Sequence, residues 1–123
     1  MPTFEVWDIV KVPFPYADRP VRQRRPALVV TADDVQANHS LIWVLMITSA
    51  DNRGWPDDVA VSDHEAAGLP VPSVVRTAKI AVIDSRDAER LGALSTSDRI
   101  DVATCLGRHM ATVLRCPLDP RSH

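Results

Sequence analysis

Arg19, Arg22, Arg24 and Arg25 crowd into residues 7–31, WDIVKVPFPYADRPVRQRRPALVVT, of a chain whose formal net charge is −2. A guanidinium stays charged at neutral pH, and its planar fork matches phosphate oxygens bidentately. Arg25 stands next to Pro26 at the start of an apolar run, so the rigid proline φ leaves it little freedom to lose. Thr48 and Ser49 close a second apolar run; their short hydroxyls either serve as donors to a phosphate or are those of an ordinary strand threonine and a serine that caps the loop. Trp55, at the tip of the Asn52-Arg53-Gly54-Trp55 loop, can stack on an unpaired base or fold back as a plug of the core. Arg76 and Lys79 either line the same groove or pair with acids across a sheet. The plain alternative for the arginine segment is a solvated loop, its charges met by Asp18, Asp33 or Asp34.

These groups need a scaffold, and the chain has room for one domain, residues 1–123. The apolar fraction is 46% and the charged fraction 24%, close to the ordinary globular range, which argues against a disordered chain. A net charge of −2 argues against a protein that coats nucleic acid over its whole surface, yet permits a local basic site. The opening MPTFEVWDIV has neither a basic nor an apolar signal region, and no run of ~18 apolar residues occurs. A cytoplasmic chain is expected, with Cys105 and Cys116 as free thiols.

The first two thirds read as strands. Ile9 to Phe14 is short and closed by prolines. Ala27 to Thr31 and Leu41 to Thr48 are continuously apolar, as strands buried on both faces are. Residues 32–38 suggest one helical turn, and Asp58 to Ser62 a weak strand. Ser73 to Asp84 is a longer run in which strict alternation would put Arg76 and Lys79 on opposite faces, so a bulge between them is expected. Ser97 then suits an N-cap. Ile100, Ala103, Leu106, Met110, Val113 and Leu114 recur at three and four, which predicts one helix packed by that stripe and stopped near Pro117. Trp43, flanked by apolar residues, is expected in the core. The sum is a small, mainly antiparallel β-barrel with a C-terminal helix.

Several chemistries lack their residues. His39, His64, His109 and His123 show no ligand spacing, and Gly68 stands where a zinc-protease motif beginning His64-Glu65 needs its second histidine. Neither a glycine-rich phosphate loop nor a G-x-S-x-G elbow is present. No metal and no cofactor are expected.

The ordered set WDIVKVPFPYADRPVRQRRPALVV, LMITSA at 45–50, GLPVPSVVR at 68–76 and KIAVID before SRDAERLGALS resembles the MazF/PemK family of toxins from bacterial toxin–antitoxin pairs. The resemblance spans almost the whole chain. It implies an SH3-like barrel of the MazF/CcdB-like kind, usually a homodimer, that cuts single-stranded RNA at short sequences without a metal. It also implies an antitoxin partner whose C-terminal segment occupies the substrate groove. The family's catalytic arginine and threonine fall on Arg25 and Thr48. Arg24, Arg22, Ser49, Trp55, Arg76 and Lys79 are then the candidates for RNA binding.

Trp7 replaces the glycine that usually precedes D-I-V, and Ala81 and Val82 replace the arginine and threonine of the family's Q-I-R-T-I-D. The competing expectation is a non-catalytic barrel that binds only antitoxin, DNA or a protein partner. Gyrase-poisoning toxins of similar fold use an aromatic near the C-terminus, and CPLDPRSH has none.

Overall fold

The computed structural model describes residues 3–13, 24–52 and 54–115. Arg19, Arg22, Arg53, Cys116 and Pro117 lie outside them. Among the described residues six strands form one sheet: β1 (Asp8–Pro13), β2 (Arg24–Val29), β3 (Leu41–Ser49), β4 (Asp58–Ala60), β5 (Ser73–Asp84) and β6 (Glu89–Ala93). Every neighbour is antiparallel, and the order is β4-β5-β3-β2-β1-β6. Between β2 and β3 lies α1 (Asp33–His39), and after β6 come α2 (Thr96–His109) and α3 (Ala111–Arg115). The expected antiparallel β architecture with a C-terminal helix is therefore present. Strand β6 is new, because ERLGA has neither alternation nor a branched run to announce it.

The unbroken apolar runs make sense because both faces of the sheet are covered. Ile9, Leu28, Leu45, Ile47, Val59, Val75 and Leu94 build one cluster with Val102 and Cys105 of α2. Phe4, Val10, Val12, Ala27, Val29, Ile42, Val44, Met46 and Ile83 build the other. Each fully buried Leu, Ile or Val contributes roughly 1.5–3 kcal/mol. A one-residue slip of any central strand would exchange its two sets of side chains between differently shaped cores. Register is therefore tightly held. The Gln36 amide of α1 secures the flank of the second cluster, donating to the Phe4 carbonyl at 2.7 Å and accepting from the Phe4 N–H at 2.9 Å. That helix runs for seven residues rather than a single turn.

Three expectations need correction. The cap of α2 is Ser95, not Ser97: its hydroxyl accepts from the Asp98 N–H. The expected packing stripe also points the wrong way. Buried Asp98 accepts from the Ser62 N–H at 2.9 Å and the Ser62 hydroxyl at 3.0 Å, which fixes the helix's rotation. Val102 and Cys105, four and seven residues on, then face inward, with Leu106 packed partly against them, while Ile100, Met110, Val113 and Leu114 are exposed. The helix also breaks at Met110 before α3 resumes. Thirdly, Trp43 is 38% exposed and is not core. It pairs across the sheet with Val82, itself 56% exposed, on a part of the sheet that α2 does not cover.

Trp7 has φ +77°, a left-handed conformation that glycine adopts without cost. Its N–H donates to the Val29 carbonyl and its carbonyl accepts from the Leu94 N–H, so the turn is held from both sides. Partial burial of the indole against the first cluster offsets the strain.

The loop after β4 crosses β6 with the backbones in contact. A Cβ on Gly92 would stand 2.2 Å from the Ala67 carbonyl oxygen, and one on Gly68 2.2 Å from that of Leu91. Gly92→Ala should thus destabilise the fold by about 1–3 kcal/mol. Gly68→Ala should cost more, since Gly68 also has φ +83°. Urea unfolding midpoints check both, and a midpoint unchanged in Gly92→Ala would show that this crossing is loose.

Candidate active site

Arg25 lies in β2 opposite Val12, and Arg24 opposite Pro13, with the Arg24 guanidinium donating to the Lys11 carbonyl at 3.2 Å. On the other side β2 pairs with β3 through Ala27↔Met46, Leu28↔Leu45 and Val29↔Val44. Continued by two residues toward the open end, that register sets Arg25 opposite Thr48. The two residues are twenty-three positions apart in the chain, and the register pinned by the cores carries them toward the same end of two neighbouring central strands.

Thr48 is buried, and its hydroxyl oxygen accepts from the Asn52 side-chain amide at 3.1 Å. Ser49 turns to the backbone instead, accepting from the Asp51 N–H and so closing the 3₁₀ turn Ala50–Asn52. The Asn52 carbonyl accepts from Arg76 at 2.8 Å. That same guanidinium forks onto Asp58, with contacts of 3.2 Å from Nε and 3.0 Å from Nη2. The Trp55 ring lies over it, 4.4 Å from guanidinium carbon to ring centroid. Of the two readings open for Arg76, the structure shows the ion pair across the sheet: the residue is only 7% exposed and holds the 50–58 loop together. Trp55 is 46% exposed and presents its edge and outer surface to solvent.

The β5 irregularity falls between Arg76 and Lys79, where a bulge or bend was expected. Met46 faces Arg76 and Leu45 faces Ile80, so three residues including Lys79 bow out between them. Lys79 is half-buried on this segment. The bulge also brings Thr77 inward, where its hydroxyl donates to the Asp57 carbonyl at 3.0 Å and lies 3.1 Å from the His109 ring. Because that hydroxyl's proton is directed at Asp57, the His109 Nε2 must donate. Arg108 donates to the Asp57 carboxylate at 2.7 Å. The last turn of α2 is thereby fastened to the loop that carries Trp55 and Asp58.

The structure thus joins Thr48, Ser49, Trp55 and Arg76 in one bracket, with Arg25 and Arg24 arriving on the neighbouring strand. Lys79 stands beyond the bulge. Sequence reasoning missed Asn52, Asp57, Asp58, Arg108 and His109. For Asn52 a signal existed: an amide four residues after Thr48, within a turn, is well placed to reach back. Among the described residues no three His, Cys, Asp or Glu side chains come together as a metal site needs, and no helix is long and apolar enough to cross a membrane. Cys105 is a free, buried thiol.

The PemK-like, MazF-like toxins of type II toxin–antitoxin systems match residues 5–110. The chain belongs to this family. MazF from Deinococcus radiodurans superposes with a TM-score of 0.72 at 26% identity, over 90% of this chain and 99% of that one. Mycobacterium tuberculosis toxin MazF-mt6 gives 0.66 at 24%, over 85% and 96%. An endoribonuclease in complex with its cognate antitoxin, from Mycobacterial species, gives 0.68 at 15%, over 90% and 96%. These last two likenesses speak for the fold alone. No curated protein matches by sequence. Against this PemK-like background the Trp7 conformation gains a reason, since the glycine expected there would adopt the same φ freely.

The toxin's loop latch should respond to acid. The hydrogen bond and charge of Arg108 hold the Asp57 carboxyl below its ordinary value of 3.8. A carboxylate depressed in the folded state adds stability above its unfolded value and loses it as pH falls through the folded one. Arg108→Ala should therefore lower the urea midpoint by a constant small amount above pH ~5, and the gap should close in acid as Asp57 protonates. A gap that persists unchanged at the acid end would assign the loss to packing.

Proposed function

We propose that this toxin is a metal-independent endoribonuclease that cuts single-stranded RNA, and that a cognate antitoxin protein restrains it. The observation that supports the reading is the β2–β3 register, whose printed pairs Ala27↔Met46, Leu28↔Leu45 and Val29↔Val44, extended by two residues, bring the positions of Arg25 and Thr48 opposite each other at the ends of two central strands. RNA needs no metal for this reaction, because its own 2′-hydroxyl is the nucleophile. The 2′-oxygen attacks phosphorus, the bond to the 5′-oxygen breaks, and the products are a 2′,3′-cyclic phosphate and a 5′-hydroxyl. Charge gathers on the non-bridging oxygens in between.

Arg25 is suited to those oxygens, and its pKa above ~12 makes it a charge stabiliser rather than a base. Thr48 adds a short donor beside it. Arg24, Arg22 and Lys79 are assigned to flanking phosphates, Ser49 to the turn that shapes the edge, and Trp55 to stacking on an unpaired base. Arg76 supports Trp55 from beneath. Membership of a family of toxins from type II toxin–antitoxin systems supports the antitoxin partner. Action on mRNA in the cytoplasm follows from the same reading.

Cleavage should persist in EDTA and leave the cyclic phosphate, while a substrate with 2′-deoxyribose at the scissile position should resist. Arg25→Ala should lower the rate by about 10²–10³ with a smaller effect on binding, and Arg25→Lys should restore little. Cutting of the deoxy substrate, or an absolute Mg²⁺ requirement, would overturn the mechanism.

We propose further that the toxin is a homodimer, since Trp43, Ile80 and Val82 form a contiguous exposed apolar surface and α2–α3 expose Ile100, Val113 and Leu114. Sedimentation should give twice 13.6 kDa. A monomer at micromolar concentration that still cuts RNA would refute it.

A further inference from the structure

A hydroxyl has one proton to give and two lone pairs to receive with, so its use as a donor depends on what its neighbour does. At Thr48 the neighbour is Asn52, which donates from Nδ2 at 3.1 Å. An amide NH₂ cannot accept. The Thr48 proton is therefore not spent on Asn52 and is left for another acceptor. Asn52 is fixed in its turn, because it ends the three-residue turn Ala50–Asn52 and its carbonyl is held by Arg76 at 2.8 Å. Arg76 cannot swing away, since Asp58 grips it by two atoms and Trp55 covers its face. The chain of contacts runs from a buried ion pair, through one backbone carbonyl and one amide, to a single hydroxyl.

We propose that Asn52 is a positioning residue that holds Thr48 as a hydrogen-bond donor to the scissile phosphate, with the Arg76–Asp58 pair setting Asn52 in place. The proposal rests on the nuclease reading and adds a residue to it. A purely structural Asn52 would stabilise the turn whatever occupied position 48. A positioning Asn52 acts through Thr48, so its effect vanishes when Thr48 is gone.

Asn52 is exposed, so its variants leave the cores untouched. Single-turnover cleavage of a defined single-stranded RNA is measured at saturating enzyme for the full chain, Asn52→Ala, Asn52→Asp, and each of these combined with Thr48→Ala. Asn52→Ala should lower the rate on the order of tenfold, as one oriented hydrogen bond allows, with the half-saturating concentration and thermal midpoint nearly unchanged. Asn52→Asp should lower it further, because a carboxylate accepts and draws the Thr48 proton inward. In the Thr48→Ala background neither substitution should change the saturated rate by more than about twofold. Asn52→Ala cleaving like the parent, Asn52→Asp proving no worse than Asn52→Ala, or the same factor lost with and without Thr48 would overturn the positioning role alone. A parent chain that does not cleave, or a Thr48→Ala chain that cleaves like the parent, would overturn the catalytic reading of Thr48 and this proposal with it.

Discussion

The pairing of β2 with β3 is the constraint on which the rest of the molecule depends. Ala27, Leu28 and Val29 face Met46, Leu45 and Val44, and the side chains alternate between two separate cores. A slip by one residue would send Leu28 and Leu45 into the wrong core and Val29 and Val44 into the other. The penalty is several buried side chains at once, each worth roughly 1.5–3 kcal/mol. Hydrophobic burial in the middle of the strands thus decides which polar residues meet at their ends. The proposed pair of Arg25 and Thr48 lies just beyond these pinned positions.

A second level of order comes from polar contacts around the 50–58 loop. The Arg76–Asp58 pair is buried, where the cost of desolvation offsets much of the attraction but the loss of one partner would strand the other's charge. Here it ties together a turn, an aromatic and the end of β4. Arg108 and His109 fasten the same loop to α2, whose rotation is set by Asp98 on Ser62. The C-terminal helix therefore reaches the proposed site without contributing a residue to it. Its apolar outer surface, with that of Trp43 and Val82, is left for another surface to cover.

Much of this was legible because it follows from period and branching. The apolar runs of β2 and β3 announced burial on both faces, and the conflict between Arg76 and Lys79 announced the β5 bulge. What failed did so for physical reasons. A count of apolar positions rotated α2 wrongly, since its phase is set by a buried aspartate that the pattern treats as a surface residue. Trp43 was given to the core by its neighbours, although burial depends on what covers that face. Strand β6 carries Glu89, Arg90 and Gly92 and looks like a loop. Arg25 and Thr48 could be named from the family resemblance, but Asn52 was hidden in a stretch read only as turn chemistry. Its one clue, an amide four residues after Thr48, gains meaning only once the turn itself is placed.

The central claim is that Arg25 and Thr48 act on one phosphate as a unit, and a double-mutant cycle on the cleavage step tests it most directly. Single-turnover rates for the parent, Arg25→Ala, Thr48→Ala and the double variant give the coupling between them. Residues that share one transition state are strongly non-additive. The account predicts that the double variant cleaves scarcely more slowly than the slower single one. Losses that multiply in full would mean that the two residues act at independent places, and the site would have to be sought elsewhere on the sheet.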